Sequence, residues 1–277
     1  MSQSAVPEPG RRRLSHRVQG RGDPLVLIAG TGFPGATWAP ALLDPLSTRH
    51  AVVTFDHRGT GDTPAGPEPL STRLFAEDAV GLLDELGVDA AHVVGHSMGG
   101  RVAQWMALDH PERVRSLVLA ATGPGQFRDD RPVTRGVPVH TAVDLAERGY
   151  EAYMRAHIAA TFFTPEFVKD QPEAVWWLFD AFWEHRPSLE DYLRHVVARQ
   201  EHQTTERLGA IRAPVLVMIG DRDTHVAGTG IHWEQSASLL ALIPEAERAV
   251  IPGAAHGFFW QEPERSAAIL LGWTSRH

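Results

Sequence analysis

The sequence predicts an α/β fold: a mostly parallel sheet flanked by helices on both faces, with an inserted helical cap. Three observations predict it. Short apolar runs alternate with helical patterns along most of the chain, as in parallel strands joined by helical crossovers. Residues 123–207 break that rhythm and hold no Val/Ile-rich run. A glycine-rich turn at residues 95–100 stands between one apolar run and the helical pattern after it.

The strand candidates are residues 25–29, 51–55, 91–95, 114–120, 215–219 and 248–251. They are rich in Val, Leu and Ile without polar alternation, as expected for strands covered on both faces. Helix candidates span residues 37–46, 71–86, 98–109, 231–242 and 262–273. The second starts at a Ser71 cap, carries Leu74, Phe75, Val80, Leu82, Leu83 and Leu86, and stops at Gly87. The third is closed by Pro111. The segment 123–207 reads as helices punctuated by Pro132, Pro138, Pro165, Pro172 and Pro187, forming a helical cap between two core strands. Residues 1–13, with Pro7, Pro9 and an Arg run, read as a disordered tail, which leaves 14–122 and 208–277 for the core.

Composition narrows the function. A chain of 277 residues can hold one large domain. Its net charge of −8 argues against a nucleic-acid partner, because such binding needs concentrated Lys and Arg to displace counterions. With no cysteine, disulfides, thiolate metal sites and a cysteine nucleophile are excluded. No metal or other cofactor is implied. No stretch reaches the roughly 18 apolar residues of a membrane helix, and none near the start has signal-peptide character, so cytoplasmic residence is expected. The sequence says nothing of oligomeric state.

The chemistry begins at Gly95-His96-Ser97-Met98-Gly99-Gly100. This G-x-S-x-G pattern follows a strand candidate and opens a helix candidate, the setting in which a sharp turn projects a serine hydroxyl above the sheet edge. The helix N-terminus behind Ser97 puts partial positive charge where an oxyanion would form. On these residues the chain, from about Leu14 to Trp273, resembles the α/β-hydrolase superfamily, and within it the lidded serine esterases, lactonases and C–C hydrolases.

The resemblance implies a base, an acid and an oxyanion hole. Among 15 histidines, position selects His256: Pro252-Gly253-Ala254-Ala255-His256-Gly257 follows the last strand candidate and is similar to the family's "PGAGH" turn. A serine hydroxyl needs such an imidazole to take its proton. The family places the acid just beyond the strand after the cap, which makes Asp223 the candidate, with Asp221 read as a turn residue bonding its own backbone. Two backbone N–H groups would hold the oxyanion. One is Met98; the other comes from the loop after the first strand candidate, where Ala29 replaces the family's usual histidine, and Thr31 is favoured over Gly32. Asp56-His57-Arg58-Gly59-Thr60-Gly61-Asp62 is similar to the family's "D-x-R-G-x-G" turn and implies a structural role, with Arg58 bonding neighbouring backbone.

Trp38 and the cap tryptophans Trp176, Trp177 and Trp183 suggest an apolar lid, and with it a small hydrophobic ester or lactone as substrate. The expected function is serine-dependent hydrolysis of such a compound through an acyl-enzyme. Cleavage of a C–C bond and a perhydrolase reaction are the alternatives on the same residues; for the first, Arg101 is the one candidate to hold an acid end. A non-catalytic ligand receptor on the same fold is the alternative of another kind.

Overall fold

The computed structural model describes residues 12–125, 135–223 and 232–277. Strands β1 (His16–Gln19), β2 (Asp23–Ile28), β3 (His50–Phe55), β4 (Ala91–His96), β5 (Val114–Ala120), β6 (Val215–Gly220) and β7 (Glu247–Ile251) pair into one sheet. Their order is β1-β3-β2-β4-β5-β6-β7. Every pairing is parallel except that of β1 with β3. Each predicted run is therefore a strand. The unforeseen β1 is short, sits at an edge and carries one large apolar residue, Val18, which is itself exposed. It has no buried face to leave a pattern.

Alternate strand residues feed two cores. Leu25, Leu27, Val52 and Val94 pack with Leu42 and Leu46 of α1 (Pro40–Ser47) and Leu270 and Trp273 of α11 (Pro263–Thr274). Val26, Ile28, Val53 and Val93 pack with Phe75 of α2 (Thr72–Glu85), Met106 of α3 (Met98–Asp109) and Leu239 of α9 (His232–Leu242). Burying each such side chain contributes roughly 1.5–3 kcal/mol, which is why both faces stay apolar.

Ser71 caps α2 as expected, its hydroxyl accepting from the Leu74 N–H at 3.0 Å. The expected helix 37–46 is divided. A 3₁₀ turn covers Gly35–Thr37, Ala39 is extended, and α1 starts at Pro40. A proline fits the first helical position but forces the residue before it out of helical dihedrals. Pro263 starts α11 in the same way, behind a short α10 (Phe258–Gln261).

Between β5 and β6 the chain forms α4 (Val139–Arg148), α5 (Tyr150–His157), a π-helical turn (Ile158–Phe162), α6 (Pro165–Asp170), α7 (Pro172–Glu184) and α8 (Leu189–Gln200). Of the expected tail, residues 1–11 lie outside the described residues, while Arg13 Nε donates to Glu85 at 2.8 Å. Ile231, the expected start of α9, also lies outside them. Among the described residues no helix is long and apolar enough to cross a membrane, and no cluster of three or more metal-ligating acids or histidines occurs.

Arg58 departs from expectation in its partner. It is 1 % exposed and bonds the carboxylate of Asp78 on α2, Nε to Oδ2 at 2.6 Å and Nη2 to Oδ1 at 2.5 Å. This two-pronged bond clamps the turn after β3 onto α2.

Because β2 lies between β3 and β4, the chain leaves it in one direction and crosses back over it in the other. Such a reversal opens a crevice at the carboxyl ends of the strands. The loops after β2 and β4 border it.

Candidate active site

β4 ends at His96 and α3 begins at Met98, so Ser97 makes the whole turn. Its φ of 55° and ψ of −118° lie where residues with a side chain rarely settle, at a cost of about 1–3 kcal/mol. Three bonds hold it there. The Ser97 N–H donates to the Ala120 carbonyl at 2.9 Å, and the Ser97 carbonyl accepts from the Gly100 N–H at 3.1 Å and the Thr122 hydroxyl at 2.7 Å. A Cβ on Gly95 would collide with the Gly99 carbonyl, and one on Gly99 with the Ile28 carbonyl. Glycine at both positions lets β2, β4 and α3 meet.

His256 lies in the loop between β7 and α10, and Asp223 lies just beyond β6; both are buried. Nδ1 of His256 is 3.1 Å from Oδ2 of Asp223. An imidazole that donates Nδ1–H to a carboxylate keeps a lone pair on Nε2 and is steadied when it becomes a cation. The loop is braced from three sides. His96, beside Ser97, donates Nε2–H to the His256 carbonyl at 2.9 Å. Asp221 accepts from the Gly253 N–H at 2.7 Å, so it fixes this loop and not its own backbone. The Gly257 N–H donates to the Phe162 carbonyl of the π-helical turn at 2.8 Å, while the Phe162 ring meets the His256 ring edge-on.

The loop after β2 completes the arrangement. Its Phe33 N–H bonds the Gly30 carbonyl at 3.2 Å, and its Gly32 N–H donates to Nδ1 of His195 at 3.3 Å. That leaves Thr31, which shares one cavity with Met98, Ser97 and His256. Asp56 holds the far end of the loop by accepting from the Gly35 N–H at 2.7 Å.

His195, on α8, donates its Nε2–H to the Arg58 carbonyl at 2.9 Å, so its Nδ1 is free to accept. Burial lowers its pKa to about 4, which keeps the ring neutral in this role near pH 7. It positions the Thr31–Gly32 peptide from outside the reacting atoms. Replacing His195 with phenylalanine strands the Gly32 N–H. Steady-state kinetics should then show kcat down about 10- to 100-fold, as for a small misplacement of reacting groups, with KM changed much less. The conservative His195→Gln should recover part of the loss; a rise in KM alone would contradict the positioning role.

The cavity is small, about 40 Å³. A second cavity of about 190 Å³ adjoins it and shares His157, Thr161 and Arg199 with it. The expected tryptophan lining is not there. Trp38 is buried below, stacked on Trp260 with ring centres 5.3 Å apart. Trp176 packs against Arg155, Trp183 stacks on Phe179, and Trp177 is 39 % exposed. None of the four tryptophans lines the cavity. Trp176 and Trp183 serve the packing of the inserted helices, the commoner use of aromatic residues at helical spacing. The walls carry Arg101, Arg199, Gln200, Gln235 and His157 instead. Of these, sequence reasoning had singled out only Arg101. A signal for Arg199 existed in α8, where Tyr192, His195 and Arg199 recur at helical spacing, putting polar groups along the stripe where a packed helix normally carries apolar ones.

With this geometry in place, comparison with known proteins gives a consistent result. A family model described as "alpha/beta hydrolase fold" matches residues 23–263. A protein of Azorhizobium caulinodans, provisionally named carbamate hydrolase RutD, is 31 % identical over 264 residues, covering 95 % of this chain and 96 % of its own. Among solved structures, a hydrolase of Pseudomonas aeruginosa PA01 superposes with a TM-score of 0.81 at 23 % identity, over 97 % of both chains. The enol-lactonase of Burkholderia xenovorans LB400 gives 0.80 at 22 % identity, over 95 % of this chain and 96 % of its own. These last two likenesses concern the fold.

Proposed function

The chain belongs to the α/β-hydrolase fold family, and on that premise we propose that it hydrolyses a small carboxylic ester or lactone through an acyl-enzyme on Ser97. One observation carries the reading: a serine strained at a strand-to-helix turn shares a cavity with a histidine whose far nitrogen meets a buried carboxylate. Ser97 Oγ attacks the carbonyl carbon as its proton passes to His256 Nε2, and the N–H groups of Thr31 and Met98 take up the charge on the carbonyl oxygen. The proton then goes to the departing alcohol oxygen. Water, deprotonated by the same imidazole, attacks the acyl carbon and releases the acid and the free serine.

The hydrophobic substrate expected from the tryptophans gives way to a small one with a polar end, since the walls set Arg101, Arg199 and Gln200 beside Phe33, Met98 and Phe162. A carbamate is the second reading, favoured by the name of the 31 % identical relative; it presents the same carbonyl to the same serine.

A fluorophosphonate probe tests the proposal. One adduct, on Ser97, is expected by mass spectrometry of digested protein, together with turnover of short esters or lactones. Folded protein that stays unlabelled would favour a ligand receptor and end the enzyme reading.

A further inference from the structure

Two guanidinium groups share the cavity with Ser97, and among the described residues neither meets a carboxylate. Arg101 lies in the first turns of α3, four residues past the serine; Arg199 lies in the last turn of α8. Arg101 Nη1 donates to the Arg199 carbonyl, and its Nη2 reaches Gln235 Oε1 at 3.4 Å. Among the described residues neither arginine forms an ion pair, although Arg58, Arg113, Arg194 and Arg207 all do. Burial, then the like charge of Arg199, lowers the Arg101 pKa to about 9, so it remains a cation near neutrality. Removing such a charge from water costs several kcal/mol unless an anion meets it.

The rest of the wall points the same way. Thr31 Oγ1 and Gln200 Nε2 are buried without a hydrogen-bond partner, in residues only 8 % exposed. Both groups can donate, and a buried donor left unmade costs about 1–3 kcal/mol. His157, beside Arg199, has its pKa lowered to about 3 by burial and by that arginine, so it is neutral near pH 7 and offers no charge to offset the arginines. A chain of net charge −8 thus keeps a pocket of unpaired donors and cations at its candidate site.

We infer that the substrate carries a carboxylate, and that Arg101 and Arg199 hold it while Ser97 attacks a second carbonyl of the same molecule. This rests on the reading of Ser97 given above and adds the substrate class. Because Ser97, Arg101 and Arg199 line one small cavity, the carboxylate and the reacting carbonyl belong to a short molecule. A half-ester of a short dicarboxylic acid has that reach, with its alcohol directed to the adjoining cavity.

Two measurements test it separately. Calorimetry should show the protein binding succinate but not its uncharged analogue succinamide. Arg101→Gln and Arg199→Gln should each weaken succinate at least tenfold, with thermal melts confirming folded protein. In a pH-stat, monomethyl succinate should exceed dimethyl succinate in kcat/KM by about 100-fold, a preference reduced at least tenfold in either variant. Equal binding of succinate and succinamide, or an unchanged preference in the variants, overturns the carboxylate site. Selective succinate binding by protein that neither labels at Ser97 nor hydrolyses esters would keep this inference and overturn only the Ser97 reading.

Discussion

Replacing Ser97 with alanine should lower turnover by roughly 10,000- to 1,000,000-fold, the range seen when a nucleophile acting with its base is removed. The loss should fall on kcat, because the pocket for the substrate is left intact. Stability should hardly change, since alanine at a φ of 55° is as ill-placed as serine. Glycine at the same position tolerates that φ. Ser97→Gly should therefore be equally inactive yet melt higher, by about 2 °C for a gain near 1 kcal/mol in a domain of this size. Matched activity assays and melting curves on the two variants separate chemistry from strain. Undiminished turnover in Ser97→Ala would remove this serine from the reaction altogether.

The second large effect is loss of stability in mild acid. Burial lowers the pKa of His57 and His157 to about 3 and of His92 and His195 to about 4, and takes His202 well below its ordinary value. As the pH falls through about 6.5, these five groups take up protons in the unfolded chain while the folded chain takes up none. Each then costs about 1.4 kcal/mol of stability per further pH unit, until the folded groups themselves titrate near 3 to 4. Five together remove on the order of 10 kcal/mol by pH 5, comparable to the whole stability of a typical domain. The sign is fixed: full stability above pH 7, decline on acidification. Denaturant titrations between pH 7.5 and 5 should show the midpoint dropping steeply. A flat profile would mean that these histidines gain protons in the native state with little penalty.

Much of the fold was legible because parallel strands buried on both faces leave unbroken apolar runs, and residues 25–29 or 215–219 have few other readings. Ser97 was legible for a local reason: the turn, its glycines and the flanking elements are consecutive. His256 and Asp223 followed from their order along a resembling family. Positions defined only by tertiary packing were hidden. Arg199 enters the cavity from α8, 98 residues beyond Arg101, and only the polar stripe it shares with Tyr192 and His195 marks it. The tryptophans misled because aromatic residues on a helix look alike whether they face a ligand or another helix. β1 escaped notice because an exposed edge strand needs no apolar pattern.

The bond from Gly257 to the Phe162 carbonyl bears on how molecules come and go. It fastens the π-helical turn to the segment holding His256, and the Phe162 ring rests on that imidazole. Swinging the upper helices away as one plate would tear this fastening and displace the base each time. The second cavity, lined by His140, Asp144, Tyr153 and Arg199, adjoins the one over the serine and involves neither Gly257 nor Phe162, so a molecule seated there leaves this fastening intact.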